Sequence, residues 1–236
     1  PRARQHKIAK TSIPSRLLIR TGAHALNSIK GHQRFEGVFW ITSDRSKTKL
    51  ATLNLTPGKQ FYGEDLIERD GQEYRVWNPF RSKIAAAILN GIRDMPISPG
   101  AILLYLGVGS GTTCSHLSDI VGEGGLIFSV DFAPIAMRDF IEKVVENRRN
   151  VAPILADVRN PLSYRTIVSK ADVIYSDVAQ PNQAEILAEN ADLYLRKGGW
   201  ALMAVKTRSI DVTEEPSRTY AREVEFLRRR GFRIVE

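Results

Sequence analysis

From residue 81 onward the chain alternates between short apolar runs of strand length and helical stretches, and this alternation constrains the fold more than any other feature. Helices are expected over residues 82–90, 112–121, 134–147, 161–169, 182–195 and 216–230. Strands are expected over 101–106, 126–131, 151–157, 172–177, 200–206 and 232–235. The boundaries carry physical signals. Gly91, Gly122, the pair Gly198-Gly199 and Gly231 follow helices, and Pro134 opens one. Arg228, Arg229 and Arg230 end the last helix, where cations suit the negative end of its dipole. Strands that alternate with helices pair in parallel and are covered on both faces. The fold class that follows is α/β, with a doubly wound, Rossmann-like sheet.

The part before residue 81 follows a different rhythm. Residues 35–42 and 50–55 alternate as strands do, and Asp70-Gly71 between two further runs is a hairpin signal. Residues 35–80 are therefore expected to form a small N-terminal antiparallel β unit. Residues 1–34 read as irregular. They contain no acid and eight of the chain's 34 cations, so the remainder is balanced at 26 against 26 and the net charge of +8 resides in this arm. Such an arm suits phosphate contacts, although a solvated tail or a transit peptide would have the same composition. The expected organisation is a basic extension (1–34), the β unit (35–80) and an α/β domain (81–236). No apolar run approaches the length of a membrane span. The single cysteine, Cys114, excludes an internal disulfide and a paired-cysteine zinc site. It is expected to be a small core residue in a reducing compartment. His6, His24 and His32 lie in the basic arm without carboxylates nearby, and no metal site is expected.

The loop Gly107-Val108-Gly109-Ser110-Gly111-Thr112-Thr113 follows a buried strand and opens a helix. Glycines there allow a sharp turn and a close approach of backbone to ligand. Asp131, Asp157 and Asp177 end the next three strands. In open α/β sheets ligands bind outside the carboxyl ends of the strands, so the loop and the three acids converge on one crevice. A dinucleotide loop needs a glycine where Thr112 stands, which disfavours a nicotinamide or flavin oxidoreductase. A row of acids suits a cationic cofactor better than an anionic one. The cofactor expected is S-adenosylmethionine. Each acid alone would more simply be a helix cap or a hydrated loop residue; three in register are not.

These segments resemble the fibrillarin family. The resemblance rests on Leu104-Tyr105-Leu106-Gly107 through Gly111-Thr112-Thr113, then Ser115 to Gly122; on the run Glu73 to Lys83 containing Trp77-Asn78-Pro79-Phe80-Arg81-Ser82; on Asp177-Val178-Ala179-Gln180-Pro181; and on Lys206-Thr207-Arg208-Ser209-Ile210-Asp211-Val212-Thr213. It covers residues 35–236. It implies an S-adenosylmethionine-dependent methyltransferase of ribose 2′-hydroxyls in ribosomal RNA, with transfer RNA as a further substrate. The implied setting is a box C/D guide-RNA particle, in which guide RNA selects the target. The implied partners are guide RNA, target RNA, a coiled-coil Nop-type scaffold protein and a kink-turn-binding ribosomal-type protein. The missing Gly-Arg-rich tail points to the archaeal, cytoplasmic type rather than the nucleolar one.

By the same resemblance, Gly107, Gly109, Gly111, Thr112, Thr113, Asp131, Phe132, Asp157, Val158, Asp177, Val178, Ala179 and Gln180 line the cofactor. Asp131 would hold the ribose, while Asp157 and Val158 address the adenine. The catalytic set is Lys83, Asp177 and Lys206. A ribose hydroxyl is a weak nucleophile and needs a base as it attacks. Lys206 is the base expected, Asp177 orients it, and Lys83 positions the hydroxyl or a phosphate. An exposed helix lysine and a strand-end salt bridge are the plainer readings of the two lysines. Two departures stand out. Asp131 replaces the family's usual Glu. The family also continues into a further strand with an Asp-His-Ala segment that brings a fourth catalytic group, so residues 232–235 are expected to lack their neighbour. That difference supports one alternative, a non-catalytic particle component that keeps the fold. A small-molecule methyltransferase is less favoured, because no aromatic-rich lid is evident.

Overall fold

The structure, a computed structural model, describes residues 26–43, 48–211 and 213–236. Most of the basic arm, with His6 and His24, lies outside the described residues. The N-terminal unit is an antiparallel sheet of β1 (Leu26–Gly31), β2 (Val38–Ser43), β3 (Thr48–Leu53), β4 (Leu66–Arg69) and β5 (Gln72–Val76), in the order β1-β2-β3-β5-β4. The β4–β5 turn is Asp70-Gly71, both with positive φ (52° and 76°), as a two-residue hairpin with right-handed strand twist requires. The irregular reading of residues 1–34 is corrected over β1. Leu26-Asn27-Ser28-Ile29-Lys30-Gly31 carries little apolar signal because it is an edge strand with a partner on one side only.

The second sheet contains β6 (Ile102–Leu106), β7 (Leu126–Asp131), β8 (Val151–Leu155), β9 (Ala171–Ser176) and β10 (Leu195–Met203), in the order β10-β9-β6-β7-β8. All its pairings are parallel. Side chains alternate across it. Leu103 and Tyr105 of β6 join one core with residues of α1 (Lys83–Leu89), α2 (Thr112–Val121) and α3 (Pro134–Lys143), and with Val38, Leu50, Phe61 and Trp77 of the β unit. Leu104 and Leu106 join the opposite core, under α4 (Gln183–Tyr194) and α6 (Pro216–Arg229). The short α5 (Thr207–Ile210) follows β10. Among the described residues no helix is long and apolar enough to cross a membrane.

Two expected elements are absent. Residues 161–169 form only a 3-10 turn, Pro161–Tyr164. The segment buries Pro161, Tyr164 and Val168, and the last two pin the turn on the second core, while Leu162 and Ile167 stay more than half exposed. Residues 232–235 form no strand: β10 is the sheet edge, and Phe232 and Ile234 pack on the second core instead.

The chain reverses direction across the sheet between β6 and β9, since β7 and β8 lie on one side of β6 while β9 and β10 lie on the other. That switch point is where the loops after adjacent parallel strands separate and leave room for a ligand.

Candidate active site

Gly107 follows β6 at the switch point. A side chain there would put its Cβ 3.0 Å from the Asp177 carbonyl oxygen, so only glycine lets the loop after β6 lie against the end of β9. Gly111, the N-cap of α2, has φ of 87°, and a Cβ there would meet Phe140 Cε2 and Val144 Cγ2 at 2.8 Å. Gly109, between them, faces open space. The loop is therefore tight at both ends, against β9 and against α3, and open at its middle.

Asp131 closes β7 and fixes the loop. Its Oδ2 accepts the Gly109 N–H at 2.8 Å, and its Oδ1 accepts the Ala133 N–H at 3.0 Å. Each carboxylate oxygen has a second lone pair, so ribose hydroxyls can share the group. Phe132 follows with its ring 59% exposed, an apolar surface beside a carboxylate. Asp157 lies two residues beyond β8. Arg159 grips it through Nε and Nη2, at 2.9 and 2.6 Å from Oδ2, and these hydrogen bonds hold its carboxyl below the usual range. Val158 is buried, its side chain in the second core and its carbonyl accepting from Asn190 Nδ2 at 2.9 Å, which leaves its backbone N–H as the part of it suited to ligand contact. Thr113 is buried and donates to Ser82 Oγ, the N-cap of α1, at 3.1 Å; Thr112 is half-buried. Val178 is buried under the loop, Ala179 is exposed and Gln180 half-buried. These residues, drawn from four separate stretches of sequence, lie at the carboxyl ends of β6 to β9.

Lys83, Asp177 and Lys206 meet at the end of β9. Asp177 Oδ1 lies 2.7 Å from Lys83 Nζ and 2.9 Å from Lys206 Nζ. Lys206 Nζ also donates to the Asp177 carbonyl at 2.7 Å, which fixes the ammonium from two sides. Gln183 of α4 clamps the Lys206 backbone, accepting its N–H at 2.9 Å and donating to its carbonyl at 3.1 Å. The exposures differ in a useful way: Asp177 is 13% exposed, Lys206 26% and Lys83 51%. The carboxylate is thus covered by two cations, one rigidly held and one reaching in from solvent. Beneath it the Tyr175 hydroxyl lies 3.4 Å from Oδ2, and burial together with the nearby Asp177 pushes that phenol well up, so it stays a neutral donor. Neither Tyr175 nor Gln183 was singled out by the sequence; their part emerges only once β9 and α4 are packed. Among the described residues no group of acids, histidines and cysteine is arranged to hold a metal ion.

The donor set fits S-adenosylmethionine. An open Gly109, acceptors at the ends of β7 and β9, an exposed ring and no phosphate-binding cation on the loop suit a nucleoside bearing a cationic sulfonium. Cys114 plays no part in this chemistry. It is fully buried, 3.4 Å from Ser129 Oγ, and burial pushes its thiol up to about 12.

Comparison with known proteins agrees with this geometry. The family model for Fibrillarin matches residues 29–236. A "Fibrillarin-like rRNA/tRNA 2'-O-methyltransferase" of Pyrobaculum aerophilum is 53% identical over 209 residues, 88% of this chain and 89% of the relative. The crystal structure of Aeropyrum pernix fibrillarin with natively bound S-adenosyl-L-methionine superposes with a TM-score of 0.84 at 48% identity, covering 90% of this chain and 92% of that one. A fibrillarin/Nop5p complex superposes with a TM-score of 0.71 at 41% identity, covering 80% of this chain and 85% of the other.

Proposed function

The chain belongs to the fibrillarin family, and from that premise we propose that it transfers methyl groups from S-adenosylmethionine to ribose 2′-hydroxyls of ribosomal and transfer RNA. The observation that carries the reaction type is the Lys83–Asp177–Lys206 cluster at the end of β9. When bound, S-adenosylmethionine supplies an electrophilic methyl group on sulfur. The residues Asp131, Phe132, Asp157 and Val158, with the loop from Gly107 to Thr113 and the segment Asp177 to Gln180, would hold its nucleoside.

Lys206 is the group placed to take the proton of the 2′-hydroxyl as the oxygen attacks. Asp177 fixes the Lys206 nitrogen and disperses the charge that arrives with the proton. Lys83, the more exposed of the pair, orients the hydroxyl or the adjacent phosphate. Positioned acid–base groups of this kind contribute about 10²- to 10⁴-fold in rate, and alignment of nucleophile and methyl group adds to that.

The fibrillarin/Nop5p complex supports a Nop-type scaffold as partner. The finer assembly belongs to the proposal: a box C/D guide RNA paired to its target, a kink-turn-binding ribosomal-type protein, and the cytoplasm of an archaeal cell, which the source organisms of the relatives favour. The near-neutral body of the chain agrees with base selection by a guide, since the protein itself then reads little sequence. The basic N-terminal extension, the β unit and the methyltransferase domain remain our proposed division of the chain.

The test is transfer of a radioactive methyl group to guide-paired target RNA by the assembled particle. The parent chain should label a target carrying a 2′-hydroxyl and leave its 2′-deoxy counterpart unlabelled. Lys206→Ala should lose about 10²-fold or more in rate while binding the cofactor as the parent does. A parent chain that binds cofactor in the assembled particle and transfers nothing would replace this reading with that of a non-catalytic particle component.

A further inference from the structure

The turn that joins the two units displays an aromatic ring that the fold does not use. Phe80 is 96% exposed, more than any other large apolar side chain described. Its neighbour Trp77, three residues earlier, is buried in the core. The exposure of Phe80 is built in rather than loose. Pro79 restricts φ immediately before it. The Phe80 N–H donates to Asn78 Oδ1 at 2.9 Å and the Arg81 N–H to the Asn78 carbonyl at 3.1 Å. The Asn78 N–H in turn donates to the Tyr62 hydroxyl at 3.2 Å. Arg81 is fastened over the Tyr62 ring, 5.1 Å from its centroid, and donates to the Tyr62 carbonyl at 3.3 Å. Ser82 then caps α1. The ring is held away from the core on a braced support, so little ordering entropy would be lost when something packs on it.

Its position says what that something is. Phe80 lies three residues before Lys83, whose ammonium touches Asp177. From residue 74 to residue 93 the chain has no acidic side chain but carries Arg75, Arg81, Lys83 and Arg93. Arg75 is buried, and Arg93 lies beyond the end of α1 with its side chain 3.6 Å from Glu236, so the cations next to the ring in sequence are Arg81 and Lys83. An exposed aromatic flanked by cations is the arrangement that takes a nucleotide: the ring stacks with a base while the cations meet the phosphates.

We propose that Phe80 is a stacking platform for a base of the RNA that flanks the reacting ribose, and that it holds this strand across Lys83. The proposal rests on the RNA 2′-hydroxyl reading given above. Stacking tolerates any base, because every base has a π-face. It therefore positions the substrate without adding sequence preference, as guide-directed selection requires. Phe80 is a positioning residue; it touches no reacting atom.

The experiment is single-turnover methyl transfer by the assembled particle over a range of target RNA concentrations, with Phe80→Ala, Phe80→Leu and Phe80→Trp beside the parent. Phe80→Ala should raise the half-saturating RNA concentration roughly tenfold or more. Its rate at saturation should stay within about threefold of the parent and its cofactor affinity should be unchanged. Phe80→Trp should restore RNA affinity, and Phe80→Leu should not, because the contact is aromatic rather than merely apolar. Filter retention of the RNA by each assembled particle reads the same order independently of transfer. Parental RNA affinity in Phe80→Ala would overturn the proposal. So would loss confined to capture of the scaffold protein, which would make the ring a protein contact. Absence of transfer by the parent chain would instead sink the 2′-hydroxyl reading, while the retention order still tests Phe80.

Discussion

Asp131 does two jobs with one carboxylate, and they can be separated by substitution. It pins the Gly109 N–H, which keeps the loop open at its middle, and in the function we propose its remaining lone pairs accept from a ribose. A hydrogen bond to a charged group is worth about 1.5–3 kcal/mol. Asp131→Ala should therefore weaken cofactor binding by about 10- to 100-fold in titration calorimetry. Asp131→Glu, which keeps the charge and lengthens the reach, should stay within a few fold. Undiminished affinity in Asp131→Ala would remove Asp131 from the site. At this scale the sequence is informative because three acids in register at strand ends, beside a Gly-rich turn, are more than helix caps require. It is less informative about what occupies those acids. Nothing in the spacing of Asp157 and Arg159 says that the arginine will fold back two residues and grip the carboxylate through two nitrogens.

The elements that build the candidate site depend on close approaches that only glycine permits. Gly111 starts α2 in the left-handed region, under the Phe140 ring of α3. Gly111→Ala would place a methyl group against Phe140 and Val144 and hold a non-glycine residue at φ 87°. Left-handed strain of about 1 kcal/mol and overpacking of about 1–3 kcal/mol together predict a loss of about 2–4 kcal/mol. Urea unfolding measures it. In the Phe140→Ala background the same substitution should cost less, because the ring is gone while the backbone strain remains; equal costs in the two backgrounds would mean that the contact is not tight. Glycines, prolines and apolar runs made most elements of the α/β domain legible, and their ends fall within a few residues of the expected positions. The failures share one cause. β1 has a weak apolar pattern and residues 161–169 and 232–235 a strong one, yet in all three the conformation is decided by what packs beside them rather than by their own periodicity.

The two units are held together by a buried polar cluster that no local reading could assemble. Arg75 of β5 pairs with Glu64 and with Asp119 of α2, at 2.6 and 2.8 Å, and Arg148 pairs with the same Asp119 at 2.6 Å; all four side chains are essentially inaccessible. Glu64 and Arg75 lie eleven residues apart in the β unit, and Asp119 and Arg148 far from both in sequence, which is why only the folded chain reveals the cluster. Since α2 begins at the Gly-rich loop, this cluster also fixes the loop relative to the β unit and to Phe80. His116 of α2 lies inside it, stacked on Trp77 with centroids 5.0 Å apart. The Thr52 hydroxyl donates to Asp119 at 2.7 Å, so toward His116 Nδ1, also at 2.7 Å, it is left as an acceptor. Nδ1 therefore carries the proton, and Nε2 faces the Tyr62 hydroxyl at 2.8 Å as an acceptor. Burial, reinforced by the charges of Arg75 and Arg148, holds the imidazole well below its ordinary 6.5. An unfolded chain takes up that proton near pH 6.5 whereas the folded chain does not. The His116 contribution to stability is thus complete above pH 6.5 and declines as pH falls, by at most about 1.4 kcal/mol per unit. Substituting His116→Gln removes the titrating group while leaving a side chain that can donate to Thr52 and accept from Tyr62. The stability gap between parent and variant, followed by urea unfolding from pH 7.5 down to pH 5, should narrow below pH 6.5. A gap that stays constant across that range would mean that the folded chain takes up the proton as readily as the unfolded one, so that below pH 6.5 the cluster joining the two units holds one more positive charge than its hydrogen bonds imply.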